Sequence, residues 1–395
     1  MTLGMERAEA GLERARRCRW ADVGRSAHPD AATAGRQAAR DALAANDDAG
    51  LLLVFASSAY DPRALIAAVA EVADGTPVAG CSSAGEVDAS GTGATGSSVL
   101  VLALGGDGFS FSATAVSAAA DPRDAGARAA ACLGDVADRD HRVLLLLSDG
   151  PAHRQPDVVR GAYSVAGAGV PLVGGLAGHR LAGAHSTLFS GGDVLQDAVI
   201  GVAIGSDAPL GVGARHGWRP TGEPMLVTRA APGRVVELDG RPAAEVYRER
   251  LGGGGRRPVD VTLAHPLGVQ RRIGEAHVHW VDDDDAADGS LDSSVPAGAV
   301  VWLMESDVDG VTDATDAACG EALDALGGDP ALALIAFDCN ARRLFLGDAA
   351  TGEVARIARH ADGAALAGLY TFGEIARTRG SAGFHEQTLV VLAVA

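Results

Sequence analysis

The pattern that most limits how this chain can fold is one order of elements met three times. A short aliphatic run is followed by a helical stretch, a glycine-framed turn and a second aliphatic run. Leu51–Phe55 (LLLVF) leads through VAGCSSAGEV, residues 78–87, to Val99–Leu104 (VLVLAL). Val143–Leu147 (VLLLL) leads through PLVGGLAGH, 171–179, to Val199–Ile204 (VIGVAI). Leu332–Phe337 (LALIAF) leads through LAGLYTFGEI, 366–375, to Leu389–Val394 (LVVLAV). Short continuous apolar runs bounded by Gly, Asp and Ser are the mark of strands covered on both faces. The order predicts a mixed α/β fold of two packed lobes with largely buried sheets, built from a reused unit. The first and third turns share Gly-x-x-x-x-Gly-Glu followed by an aliphatic residue.

Helices are predicted over 31–45, 62–73 and 312–326. Asp61-Pro62 is a capping acceptor followed by a proline that costs nothing at the first helical position. Gly327-Gly328 closes the last of the three. Val300–Met304 reads as a further strand, GGGGRR (252–257) as a flexible break, and DDDDAADGS (282–290) as a solvated acidic loop.

Composition narrows the function. Of 395 residues 47% are hydrophobic, enough to bury real cores. A net charge of −18 argues against nucleic acid and against docking on anionic lipid. All 33 basic residues are Arg, which excludes a P-loop lysine, a Schiff base or a lysine general base. The five cysteines are scattered, with no C-x-x-C, so neither a zinc ribbon nor a disulfide scaffold is expected. The N-terminus has no signal-peptide core, and no run reaches the roughly 18 apolar residues of a membrane span. Cytoplasmic placement, without membrane insertion, is the expectation.

Several local motifs invite chemistry. GTGATG (91–96) matches a dinucleotide fingerprint but precedes a strand instead of following one. GCSSAG (80–85) resembles a nucleophile elbow, with Cys81 either a nucleophile or a small side chain in a tight turn. ESDVDGVTDATD (305–316) half-matches a calcium loop and equally suits an acidic helix N-terminus. His277 and His279 would share one face of a strand, but lack a third metal ligand nearby.

A separated set of longer motifs is more specific. VFASSAYD, VAGCSSAGEV and PLVGGLAGH are followed by the 214–251 segment ARHGWRPTGEPMLVTRAAPGRVVELDGRPAAEVYRERL. HPLGV, FDCNARRLFLG and LYTFGEIARTRGSAGFHEQTLVVLAV complete the series. From about residue 20 to the end, the chain resembles the FIST family of bacterial sensory proteins. The resemblance implies a tail at 1–19, a FIST N-terminal α/β domain at 20–213 and a FIST C-terminal α/β domain at 214–395. It implies a non-catalytic sensory protein that binds a small ligand, such as an amino acid or related metabolite. The signal would pass to a separate protein such as a histidine kinase or a diguanylate cyclase/phosphodiesterase. Haem-bound members sense nitric oxide, which makes His216 and His385 candidate axial ligands. With no C-x-x-C-H any haem would be noncovalent, and otherwise no cofactor is expected. The family motif His-Asn-Gln-Thr reads HEQT here, with Glu386 in place of Asn.

The candidate ligand residues are Gly80, Cys81, Ser82, Ser83, Gly174, Gly175, Cys339, Arg342, Tyr370, Thr371, Gly373 and Glu374. Ligands of α/β sheets sit beyond the carboxyl ends of strands, here SSAYD, SDGPAH and DCNARR. Arg342 or Arg343 would clamp a ligand carboxylate and Glu374 an amine; alternatively Glu374 braces its turn. The rival to a sensor is a hydrolase using Cys81 or Cys339 with a nearby His, oriented by a carboxylate.

Overall fold

The computed structural model describes residues 18–90, 97–179, 185–253, 255, 257–270, 276–283, 286–377 and 382–395. Most of the expected tail and all of GTGATG lie outside the described residues.

The first unit comprises β1 (Trp20–Ser26), α1 (Ala31–Ala42), β2 (Ala49–Ser57), α2 (Pro62–Ala73), β3 (Val78–Ser83), β4 (Glu86–Asp88) and β5 (Val99–Gly105). The second comprises β6 (Phe109–Ser117), α3 (Pro122–Ala129), β7 (His141–Ser148), α4 (Gln155–Ala166), β8 (Leu172–Leu176), β9 (Leu188–Ser190), β10 (Asp193–Leu195) and β11 (Ala198–Ser206). The third opens with β12 (Leu210–Arg215), so the expected boundary at 213/214 falls inside a strand.

A β-rich segment then intervenes: β13 (Arg219–Ala231), β14 (Arg234–Leu238), β15 (Arg241–Pro242), α5 (Ala243–Arg250), α6 (Val259–Ala264), β16 (Leu267–Val269), β17 (His277–His279), β18 (Leu291–Asp292) and β19 (Val300–Glu305). The third unit resumes with α7 (Val308–Asp324), β20 (Ala333–Cys339), α8 (Asn340–Leu346), α9 (Ala350–Ala361), β21 (Ala365–Thr371), β22 (Glu374–Arg377), β23 (Ala382–His385) and β24 (Leu389–Val394).

Each unit builds its own sheet and lends strands to another. The orders are β1-β5-β2-β3-β9-β10, β6-β11-β7-β8-β22-β23 and β12-β24-β20-β21-β4. In each sheet the central pair is parallel (β2 with β3, β7 with β8, β20 with β21), joined by a crossover that carries helix. The strand beyond that pair comes from a different unit. The first sheet takes β9–β10 from the second unit, the second takes β22–β23 from the third, and the third takes β4 from the first. The loan closes a ring. The mixed α/β class, the two lobes and the reused unit expected from sequence are all present. The additional finding is that the reused units are interlaced.

Burial explains the continuous aliphatic runs. One side of each sheet faces a common core that holds Leu51, Leu53 and Phe55 with Leu145, Leu147, Ile335, Phe337, Val390 and Leu392. Phe55 meets Phe337 edge-on across units, with ring centroids 6.3 Å apart. Intervening residues face the unit's own helices, as Leu52 and Val54 do with Leu65, Ile66 and Val69 of α2. Alternate residues thus enter different apolar environments, and no polar position is left in the run. The second lobe, β13 to β19, has a separate core around Met225, Val235, Tyr247 and Leu303.

Local signals were obeyed where the chain is locally determined. Asp61 caps α2, accepting from the Arg63 and Ala64 amides, with Pro62 in the first turn. The calcium-like segment is instead the start of α7, where the Asp307 carboxylate caps the helix by accepting from the Gly310 amide at 2.7 Å. Among the described residues no group of three or more His, Cys, Asp or Glu is arranged to hold a metal ion. The acidic loop is corrected at two described positions: Ser290 is fully buried, and so is Asp283, its carboxylate gripped by the Arg248 guanidinium. Among the described residues no helix is long and apolar enough to cross a membrane.

The three glycine turns meet where the sheets converge. A Cβ on Gly178 would lie 2.9 Å from the Ala84 nitrogen and 3.0 Å from the Tyr370 oxygen, both backbone. Gly178→Val therefore lowers the urea midpoint, costing about 1–3 kcal/mol or more. Gly134→Ala, in open space, leaves it unchanged or slightly raised.

Candidate functional site

The twelve ligand candidates fall mainly in the hub formed by those turns. The Ala84 amide donates to the Tyr370 carbonyl at 3.0 Å, and the Tyr370 amide donates to Gly85 at 2.7 Å. The Gly178 amide donates to Ser82 at 3.0 Å, Leu176 to Gly373 at 2.8 Å, and Phe372 to Leu176 at 3.2 Å. Each corner is thus bonded to the other two or to their strands. Gly174 and Gly175 of β8 pair with Ile375 and Glu374 of β22. Gly373 has φ +134, and a Cβ there would run into the Phe384 ring.

The Gly-Glu corners share one polar design. The Ser83 and Ser98 hydroxyls both donate to the buried Glu86 carboxylate. In the third unit the Thr371 hydroxyl donates to Glu374 at 2.6 Å and the Thr388 amide donates at 3.1 Å. In both cases the acid ties its own turn to the residue just before the return strand. Glu374 therefore braces its corner, which was the alternative reading of the sequence. Burial pushes its carboxyl up to about 8, against the pull of its hydrogen bonds.

Arg342 is placed differently from a clamp. It is fully buried in α8, donating to Asp338 at 3.0 Å, the His216 carbonyl at 2.6 Å, the Val311 carbonyl at 3.2 Å, the Thr315 hydroxyl at 2.8 Å and Glu353. Its donors are spent inside the protein, and the expected ligand loop DCNARR is a strand end running into a helix. Burial raises the Asp338 carboxyl, and Glu353 nearby adds to that rise. Arg343 donates to the Ala84 carbonyl at 2.7 Å and lies over the Tyr370 ring.

The cysteines are poor nucleophiles in this setting. Cys81 is fully buried in the common core, and burial followed by the Asp149 charge pushes its thiol up. Burial, and then Glu374, does the same to Cys339. A reactive cysteine needs the opposite environment. His216 does not fit an axial haem ligand: its Nε2 lies 3.0 Å from the Ala276 carbonyl and its Nδ1 accepts from the Trp218 amide at 2.9 Å. His385 Nε2 lies 3.1 Å from the Ala376 carbonyl, and its ring lies tilted by 52° against that of His277, with centroids 4.6 Å apart.

Open space lies outside the hub. The larger cavity, about 560 Å³, is a cleft between the second unit and the β-rich lobe. His153, Arg160, Tyr163 and Arg377 line one side, and His277 and His279 line the other. The predicted shared face of β17 is real, with these two rings 4.8 Å apart. The Arg377 guanidinium lies over the face of Tyr163 and pairs with no carboxylate among the described residues. Asp157 also lines the cleft, with its carboxylate held by Arg160 at 2.6 Å. Glu386, the departure from the family motif, accepts from the Trp280 amide at 3.2 Å and so ties core to lobe beside the cleft.

A second cavity, about 270 Å³, opens at the carboxyl ends of β2 and β3. Ser57, Ser58 and Tyr60 of the SSAYD stretch line it, as does Ser82 from the candidate set. Sequence reasoning missed Tyr163, Arg160 and Arg377. They lie on a helix and a borrowed strand that meet only through the interlacing, and no local spacing signals that meeting.

Buried strand exchange around glycine corners, with a polar cleft at a lobe junction, defines a mixed α/β protein. The FIST N domain model matches residues 50–241 and the FIST C domain model matches 243–377; the chain belongs to the FIST family. FIST domains are sensory domains of signal-transduction proteins that bind small ligands.

An uncharacterized protein of Mycobacterium bovis is 28% identical over 227 residues, 55% of this chain and 58% of its own length. An uncharacterized protein of Methanocaldococcus jannaschii is 25% identical over 156 residues, 35% of this chain and 30% of its own. The chain thus spans less than two thirds of the curated relatives it matches. A solved structure described as cyanuric acid hydrolase overlays 95% of this chain and all of its own at 12% identity, with a TM-score of 0.30. At that level the overlay says nothing about fold or activity.

Two outcomes follow from the buried acids. Arg342→Met leaves buried carboxylates facing no cation and lowers unfolding free energy by about 3–5 kcal/mol. Because the folded Glu374 carboxyl is raised from 4.5 to about 8, the folded state binds its proton more tightly than the unfolded chain does. That contribution to stability is present below the unfolded value and is lost as pH rises through the folded one. Denaturant titrations in that window should show wild type losing stability with rising pH, and Glu374→Gln losing less.

Proposed function

We propose that the chain is a non-catalytic sensor that receives an anionic metabolite, such as an amino acid or related carboxylate, in the cleft between core and β-rich lobe. The observation that carries this reading is Arg377, a guanidinium stacked on Tyr163 and paired with no carboxylate among the described residues. A guanidinium held over an aromatic face can still present its fork to a carboxylate in a bidentate pair. The charge around it points the same way. In a chain of net charge −18, this cleft is lined by two arginines, one of them paired with Asp157, and by three histidines, with the Glu386 carboxylate 3.6 Å from His279. A volume of about 560 Å³ lies within the range of about 300–1,000 Å³ that small-molecule sites occupy.

The lobe junction suits sensing. A ligand that touches both walls binds the closed arrangement better than the open one, and shifts their populations by that difference alone. The core wall is fixed by the hub, so the β-rich lobe is the moving part. Its displacement would be read in the cytoplasm by a separate signalling protein, such as a histidine kinase or a diguanylate cyclase/phosphodiesterase.

Native mass spectrometry of protein from its host identifies the co-purifying small molecule, and calorimetry with that molecule then tests the site. Arg377→Gln should weaken it by about 10-fold to 100-fold, the worth of a charged hydrogen-bonded pair. Arg377→Lys should recover little, since an ammonium neither stacks nor forks. Unchanged affinity in both variants would remove the cleft from consideration.

A further inference from the structure

We infer that the 270 Å³ cavity at the ends of β2 and β3 is a second binding site, for an uncharged small molecule with an apolar face and hydrogen-bonding groups. Its chemistry is unlike that of the cleft. The polar lining consists of hydroxyls, from Ser57, Ser58, Tyr60, Ser82 and Thr187, with His185 at one side. Leu65 and Phe189 supply apolar walls. Among the described residues no Arg, Asp or Glu lines it. An ionised ligand would lose its hydration there and find no Arg, Asp or Glu among the described lining residues to pair with, a cost of several kcal/mol. A neutral molecule has no such cost, and a hydroxyl can act as donor or acceptor, although those of Ser82 and Tyr60 are already engaged within the protein.

The repeated unit provides an internal comparison. Protein interiors close-pack, and the two corresponding strand ends do so here. At the end of β7 the space left is about 10 Å³, beside Asp149 and Gln155, no more than one water needs. At the end of β20 the Arg342 side chain and its partners take up the position. The first unit keeps its space open at the same point of the same unit.

The position also spans a seam. Ser57, Ser58 and Ser82 belong to the first unit, whereas Thr187 and Phe189 are on the segment that the second unit lends to the first sheet. The Ser82 hydroxyl already bridges the seam, donating to the Gly178 carbonyl and accepting from the Thr187 amide, both at 2.9 Å. A ligand seated beside it touches the hub directly.

Benzamide and benzoate, nearly the same shape but of different charge, are the probes. Saturation-transfer measurements on the full chain should show benzamide binding in wild type and equally in Arg377→Gln. In Ser58→Trp, whose indole occupies the cavity from its half-buried rim, binding should fall about tenfold. Ser58→Met, a smaller plug, should give an intermediate loss, and an unchanged melting temperature in either variant shows that the fold is intact. Benzoate should fail to displace benzamide. No benzamide signal, a signal indifferent to both Ser58 variants, or equal competition by benzoate would each overturn the proposal. None of these results depends on whether the cleft binds an anion.

Discussion

Backbone hydrogen bonds among three glycine corners hold this molecule together. Ala84, Tyr370, Gly178 and Leu176 donate across units at 2.7–3.0 Å, where side chains larger than hydrogen at Gly178 or Gly373 would force the corners apart. Because each corner also sends a strand into a neighbouring sheet, no unit can leave without unpairing an edge of another. The repeated Gly-Glu corner therefore has an architectural purpose. Its glycine permits close approach, and its glutamate, bonded to a hydroxyl three residues earlier, ties the turn to the start of the return strand. The second corner keeps the glycine but has His179 in place of the acid, its ring edge-on to Phe372.

Function follows from where this weld leaves room. A hub of buried backbone and apolar side chains has no capacity to admit a ligand, so the space is at the rim. The cleft lies against a lobe with its own core, joined to the body through contacts such as Glu386 to Trp280. The smaller cavity lies where a borrowed strand crosses a seam. The two walls of the cleft belong to separately packed cores.

Much of the core was legible from sequence. Leu51–Phe55, Val99–Leu104, Val143–Leu147, Val199–Ile204 and Leu389–Val394 each lie within an observed strand, because runs buried on both faces leave no ambiguity. The first two helices were expected at 31–45 and 62–73 and form at Ala31–Ala42 and Pro62–Ala73, the second behind the Asp61 cap read from sequence. The interlacing was not legible. The pairing of β4 with β21 joins residues 86–88 to 367–369, a register set by tertiary geometry and not by any neighbour in sequence. The setting of Arg342 was not legible for the same reason: the five internal acceptors that converge on it come from separate segments. SSAYD, read as a strand end open to ligands, does line a cavity, since that expectation rested on sheet geometry alone.

Native-state hydrogen exchange, followed residue by residue in rising denaturant, tests the interlocked hub most directly. The account predicts that the amides of Ala84, Leu176, Gly178, Tyr370 and Phe372, from all three units, open only with the whole body and share one opening free energy. Amides in the core of the β-rich lobe should open separately and at lower cost. Hub amides of one unit exchanging well before those of the other two would contradict the account.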